Sequence, residues 1–384
     1  MSPTLLIKTR KSIRRAVTLV EVIFAIGVVL IGLVGLLSIL PLAGRRADDA
    51  ISLNASAELA ESVIDELLVR KFGANGQLLK LDKTTLAQGD SFVIDPMFCS
   101  TFESNEGLLP GSLPNPSNTN YDQELFPYYD EFHDPLTDPS GNSLGSIQQP
   151  RLFRVGVIAP PMDPMDSTEP RRFRDREQGL LLAEDINDLD VFRNRDRTLP
   201  ATFPALQSST NGLAYGKRVP NGTYSWFATV NPFPDNVYAS VSVVVVKNRE
   251  RDFVVPNTLA AGPADPTDPE ENMVAERIAT VTDASGFRGG AGGVAHLTSS
   301  LATVSRLRSN DWIMLSANPP GGAVHRWFRI VSIDGDPIED STAGTWQHKV
   351  LLDGPDWNVG LDTYATLVDG VVSVTERSVL LSDL

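Results

Sequence analysis

Residues 22–44 read VIFAIGVVLIGLVGLLSILPLAG, a run of 23 positions without a charged side chain. A helix of that length extends about 35 Å, which exceeds the roughly 30 Å hydrocarbon core of a bilayer. Five basic residues and no acidic residue lie ahead of the run, within residues 1–16. Because basic flanks stay on the cytoplasmic side, the sequence predicts a single-pass membrane helix whose body lies outside the cytoplasm.

A carboxylate, Glu21, stands directly before this run. An ionisable group at the end of a membrane span costs free energy, and it therefore predicts a functional role. A secretory signal peptide explains the run less well, because its apolar core is shorter, at about 7–15 residues. An uncleaved anchor fits the length but leaves Glu21 without a purpose. The positions assigned to the predicted membrane helix are Val22, Gly27, Gly32, Gly35 and Pro41.

The residues around Glu21 resemble the processing site of type IV prepilins and pseudopilins. The resemblance rests on Arg14-Arg15-Ala16 followed by Val17-Thr18-Leu19-Val20-Glu21, and it is closest to minor pilins of the pilus-modification class over residues 21–25 and 29–36. It implies that prepilin peptidase removes a basic leader, residues 1–16, by cutting between Ala16 and Val17. It also implies methylation of the new N-terminus, a role for Glu21 in assembly, and an inner-membrane location before assembly into an extracellular filament. The chain departs from the family at the cut itself, where Gly before it and Phe after it are usual.

Beyond Gly44 the pattern becomes amphipathic. Leu53, Ala60, Ile64 and Leu67 share one face of a helical wheel, with acidic residues opposite. The sequence thus predicts one helix over residues 17–72, with a membrane half and an amphipathic half that packs on an antiparallel sheet.

The rest of the chain is β-rich, and the predicted fold class is α+β with a β-rich C-terminal domain. We expect a pilin-like globular body with long loops over residues 73–255, an acidic proline-rich linker over 256–276, and an all-β domain over 277–384. Asp369-Gly370 predicts a hairpin turn, because this pair accepts the positive φ angles that such turns need. The strand candidates are residues 92–94, 152–158, 224–230, 237–246, 312–316, 325–333, 348–352, 365–368 and 371–375.

No residue pattern predicts an enzyme or a bound group. The net charge of −15 argues against nucleic acid as a partner. The four histidines lack the spacing of metal ligands, so no metal site, cofactor or catalytic residue is assigned. The glycine-rich residues 286–293 lack the Gly-Lys-Ser/Thr of a phosphate loop and predict a flexible connection. Residues 185–190 are acidic but lack the full pattern of a calcium loop, and bound calcium stays an open question.

Two functions remain open at this point. The first is a minor pilin or pseudopilin, a structural subunit of a type IV pilus or a type II secretion filament, with prepilin peptidase, other subunits and the inner membrane as partners. The second is an uncleaved, single-pass anchored module whose exported β-rich body binds a partner or a surface. The sequence does not choose between pilus and secretion filament.

Overall fold

The computed structural model describes a large part of the chain in separate ranges. The leader with Ala16 and Val17, and most of the predicted linker, lie outside these ranges. The chain divides into two compact units, residues 1–54 and residues 55–384. The described residues are 19–71, 78–81, 85–87, 89–101, 125–128, 150–157, 189–191, 218–220, 223–235, 237–249, 275–341 and 344–384.

Helix α1, Leu19–Arg70, has 52 residues and continues through Pro41. It ends where Lys71 takes a φ of 49°, a left-handed conformation that stops an α-helix. In the second unit its buried face consists of Ser56, Ala60, Val63, Ile64 and Leu67. The positions recur at spacings of three and four, as expected for one helix face.

No helix in the described part of the chain combines the length and the apolar character needed to cross a membrane. The predicted single-pass anchor in the inner membrane, with the body in the periplasm, is therefore wrong. The membrane half assigned to the helix, and the description of the chain as a membrane-anchored pilin, are wrong for the same reason. The uncharged run does not form a helix of its own, since α1 continues into the charged residues Arg46, Asp48 and Asp49.

Strands dominate the body. Most of them coincide with the predicted candidates, including the pair β7 and β8. In chain order the elements after α1 are β1 (Leu78–Lys80), β2 (Phe92–Ile94), α2 (Pro96–Thr101), β3 (Leu125–Phe126), β4 (Leu152–Val157), β5 (Leu189–Val191), β6 (Arg218–Pro220), β7 (Tyr224–Pro232), β8 (Tyr238–Lys247), β9 (Glu276–Gly286), β10 (Gly293–Ser299), α3 (Leu301–Val304), β11 (Trp312–Ala317), β12 (Val324–Asp340), β13 (Thr345–Asp353), β14 (Thr363–Val368) and β15 (Val371–Leu380), followed by a 3-10 turn at Leu381–Asp383.

These strands form a seven-stranded sheet, a closed barrel and a two-stranded ribbon of β5 and β6. The seven-stranded sheet, called the first sheet below, has the order β1-β4-β2-β7-β8-β15, with β3 beside β4. All its pairs are antiparallel except β2 with β4. The barrel has the order β10-β13-β12-β11-β14-β9 and closes on itself. A closed barrel has no free edges, which removes the usual sites of strand-to-strand aggregation.

The first sheet is buried on both faces. Alternate residues of β7 separate into two groups, with Trp226 and Ala228 on the face of the α1 residues and Phe227 on the opposite face with the barrel residue Trp327. The indole N–H of Trp327 donates to Thr229 Oγ1 at 3.1 Å. The barrel has its own interior core, which includes Phe328. A strand buried on both faces needs an almost continuous apolar run, and β8, with the sequence YASVSVVVVK, provides one.

The predicted α+β class is wrong. The described body is mostly β, and six of its strands form a closed barrel. Among the α1 side chains whose burial the structure describes, the first buried one is Ser52, and the first sheet is mixed rather than antiparallel. The last strand, β15, leaves the barrel through the Asp369-Gly370 turn and pairs along β8. The residue pattern within a single strand does not reveal such a return, because the pairing of β15 depends on which sheet edge is free to accept it.

Candidate functional site

The predicted processing residues, Ala16 and Val17, lie outside the described residues. Glu21 lies in the first turn of α1 and is exposed. A carboxylate is favoured there, because the N-terminal end of a helix carries partial positive charge.

The first unit exposes an unusual number of large apolar side chains along α1. Their exposed fractions range from 45% for Val22 to 78% for Leu19. Globular surfaces rarely keep such a continuous apolar area in water, and areas of this kind mark assembly or binding sites. We call this area the apolar helix surface. It comprises Leu19, Val20, Val22, Ile23, Phe24, Ile26, Val28, Val29, Leu30, Ile31, Leu33, Val34 and Leu37.

Three of the predicted helix positions, Gly27, Gly32 and Gly35, interrupt the apolar helix surface. A Cβ atom built at any of them would meet no atom within 4 Å. A neighbouring helix can approach the backbone closely where side chains are absent. Pro41 lies inside α1, and nothing further is described for its side chain.

Four charged residues of the second unit form one buried group that the sequence did not single out. Asp95 follows β2, Arg154 lies in β4, Arg249 follows β8, and Glu276 begins β9. Each of the four side chains is at most 1% exposed. We call these residues the charge network.

The charge network is fully connected. Arg249 donates to both oxygens of Asp95, at 2.9 and 2.6 Å, and to Glu276 Oε1 at 2.9 Å. Arg154 donates to Asp95 Oδ2 at 2.6 Å and to Glu276 Oε2. The backbone N–H of Tyr128 also donates to Glu276 Oε2, at 3.3 Å. Two positive and two negative groups thus meet with their hydrogen-bonding atoms directed at each other.

Burial disfavours the ionised form of Asp95, but Arg249 and Arg154 outweigh that effect and hold its pKa below the usual value. Burial likewise disfavours the charge on Arg249, whereas Asp95 and Glu276 raise its pKa above the usual value. Asp95 and Arg249 therefore carry their charge in the folded protein. A buried network of two arginines and two acidic residues, joined by hydrogen bonds and without solvent access, suits a structural joint between the first sheet and the barrel better than acid–base chemistry.

A second buried polar pair joins two strands of the barrel. His325 Nδ1 lies 2.8 Å from Ser316 Oγ, on the barrel face that carries Trp327. Burial lowers the pKa of His325 to about 3, so the ring is neutral near pH 7. A serine and a histidine at hydrogen-bond distance form a nucleophile and a base in many hydrolases, but these two residues are only 1% and 6% exposed. In the described part of the chain, this pair is therefore buried away from solvent.

The described residues contain no group of three or more His, Cys, Asp and Glu side chains that could hold a metal ion. The only sequence signal for the charge network was a charged residue inside or beside an apolar strand, such as Arg154 in LFRVGV. Comparisons with protein-family models, curated proteins and solved structures gave no match.

Proposed function

We propose that the protein is a structural subunit that assembles with other subunits through the apolar helix surface, as a minor member of the prepilin and pseudopilin kind. The observation that supports this most directly is the row of thirteen large apolar side chains exposed along the first part of α1. The resemblance of residues 14–21 to prepilin processing sites supports the same function. The destination, a type IV pilus or a type II secretion filament, stays open.

The energetics favour helices of neighbouring subunits as the cover for this surface. Full burial of one such side chain stabilises by about 1.5–3 kcal/mol. Burial of half of the apolar helix surface is therefore worth on the order of 10 kcal/mol, before the entropy cost of association. Neighbouring subunits supply the same apolar helix, and the open positions at Gly27, Gly32 and Gly35 permit close approach.

A large body favours a minor rather than a major subunit. Removal of residues 1–16 leaves 384 − 16 = 368 residues. So bulky a body is hard to stack in thousands of copies, whereas it is compatible with a few positions at or near a filament tip. Prepilin peptidase is the proposed processing partner.

We expect the mature chain to begin at Val17, with a methyl group on its amine. The five basic residues within residues 8–15, followed directly by Ala16-Val17, motivate this expectation. Peptide mass spectrometry of the natively produced protein measures it. Peptides that run intact from Lys11 through Leu19 as the dominant species would show that the leader stays attached.

We expect Glu21→Leu to remove the chain from filaments while leaving its body folded. When helices pack side by side, a carboxylate among apolar neighbours needs a cation, and the Val17 amine of an adjacent subunit can supply it. The measurement is the fraction of the chain recovered in sheared filaments, with a drop of at least about tenfold expected for the loss of one buried charge pair.

The matched control for this experiment is Asp65→Leu, which removes a carboxylate from the second unit, 73% exposed at its side chain. It should enter filaments normally. Wild-type recovery of the Glu21→Leu chain would show that Glu21 has no part in assembly.

A further inference from the structure

His348 occupies an unusual position in the barrel wall. It lies on β13 and is 6% exposed. Its Nδ1 atom is 3.0 Å from the carbonyl oxygen of Val304, and its Nε2 atom is 3.0 Å from the carbonyl oxygen of Gly335. Both ring nitrogens therefore face an atom that can only accept a hydrogen bond.

Neutral imidazole carries one N–H group and one lone pair, whereas the imidazolium cation carries two N–H groups. In the neutral form, one nitrogen lone pair must point at a carbonyl oxygen. We propose that His348 is a pH-responsive clamp, whose cationic ring donates to both carbonyls and ties two irregular segments to β13. Loss of the proton releases one of the two segments.

Both segments that the clamp joins lack regular pairing at the point of contact. Val304 ends the four-residue helix α3, which is capped by the Ser300 side chain. Gly335 has a φ of 71° and lies where the register between β12 and β13 shifts, between Asp334 and Ile338. Segments without a continuous hydrogen-bond ladder open most easily, so one side-chain bond has a large effect on them.

Charged residues lie on both strands beside His348. On β12, Asp334 and Asp336 flank Gly335. On β13, Lys349 Nζ lies 2.7 Å from Asp334 Oδ2, and this contact lowers the pKa of Asp334.

Two further elements pack against β13 at this point. On β10, which pairs with β13, His296 lies 3.8 Å from Asp283. Helix α3 contains no charged residue, and Arg306 follows it 3.7 Å from Asp369. Among the described contacts of His348, the two carbonyls are the hydrogen-bond partners.

The protonation state can be measured directly on the full chain. With histidine labelled with nitrogen-15, the ring-nitrogen shifts distinguish a doubly protonated ring from either neutral form. In spectra recorded between about pH 5.5 and about pH 8, we expect both nitrogens of His348 to carry protons at the acidic end and one nitrogen to lose its proton as the pH rises, because only the cation donates to both carbonyls. A His348 ring with one unprotonated nitrogen across this whole range would overturn the proposal.

Hydrogen exchange tests the consequence of the clamp. After correction for the intrinsic pH dependence of exchange, peptides over residues 301–306 or 333–339 should exchange at least about tenfold faster at pH 8 than at pH 5.5, as expected for the loss of one charge-assisted hydrogen bond. His348→Gln should abolish this difference, because its amide does not titrate. His296→Gln, on the neighbouring strand, should keep it. Equal protection at both pH values in the wild-type chain would contradict the clamp.

Discussion

Replacement of Arg249 by Met is expected to lower the free energy of unfolding by about 3–5 kcal/mol, the range observed when one partner of a buried ion pair is removed. The substitution keeps most of the side-chain volume but leaves Asp95 and Glu276 sharing the single guanidinium of Arg154. One negative charge then stays buried without compensation. Chemical denaturation of the full chain, followed by circular dichroism, measures the change.

A matched control is Arg377→Met, which breaks a pair with Glu61 at 2.7 Å that is 42% and 55% exposed. Exposed pairs contribute about 0–1 kcal/mol, so this variant should stay near the wild type. The double variant Arg249→Met, Glu276→Gln restores the balance of charge and should be more stable than Arg249→Met alone. Equal stability of Arg249→Met and Arg377→Met would show that the charge network does not hold the body together.

Gly292→Ala is expected to destabilise the barrel by about 3 kcal/mol or more, through backbone strain and overlap together. Gly292 has a φ of 68° in the β9–β10 turn. A Cβ atom there would overlap the carbonyl oxygen of Leu352 and lie 2.7 Å from its carbonyl carbon. These are backbone atoms of the neighbouring strand β13, and they cannot move without shifting the barrel wall.

Gly290→Ala separates the two contributions. Gly290 also has a φ of 68°, but a Cβ atom built there meets nothing within 4 Å. This variant should lose only the cost of a left-handed alanine, about 1–2 kcal/mol. Thermal or chemical unfolding of both variants gives the comparison. Equal losses would mean that the close approach of β13 contributes nothing.

The turn that contains Gly290 and Gly292 shows that a glycine-rich composition can wrongly indicate a flexible connection. Residues 286–293 predicted a flexible connection, yet Phe287 in this segment is 1% exposed and packs edge-on against Phe328, with ring centroids 5.5 Å apart. The Gly290 N–H also donates to Asp356 Oδ1 at 2.7 Å. Glycine is present because a neighbouring backbone lies close, and composition alone does not distinguish this reason from flexibility.

The prediction of a membrane anchor was also wrong, because no helix in the described part of the chain is both long and apolar enough to cross a membrane. The uncharged run over residues 22–44 indicated apolar surface, and the exposed side chains between Leu19 and Leu37 confirm that surface. The helix that carries this surface extends from Leu19 through Pro41 to Arg70. Proline within a helix removes one hydrogen bond, but a helix with enough further bonds can continue past it.

The sequence by itself determined the positions of the main strands and of a turn at Asp369-Gly370, in which Gly370 has the expected positive φ of 79°. The predicted hairpin at this turn is wrong, because β14 belongs to the barrel and β15 pairs with β8 in the first sheet. Alternation and turn chemistry act between residues close in the chain, so they can be read locally. Only the tertiary structure decided that β15 returns to β8 and that the charge network forms. Arg249 meets Asp95 across 154 positions, and Arg154 meets Glu276 across 122. A single sequence shows that a charge lies beside an apolar strand, but its partner depends on which distant strands pack together.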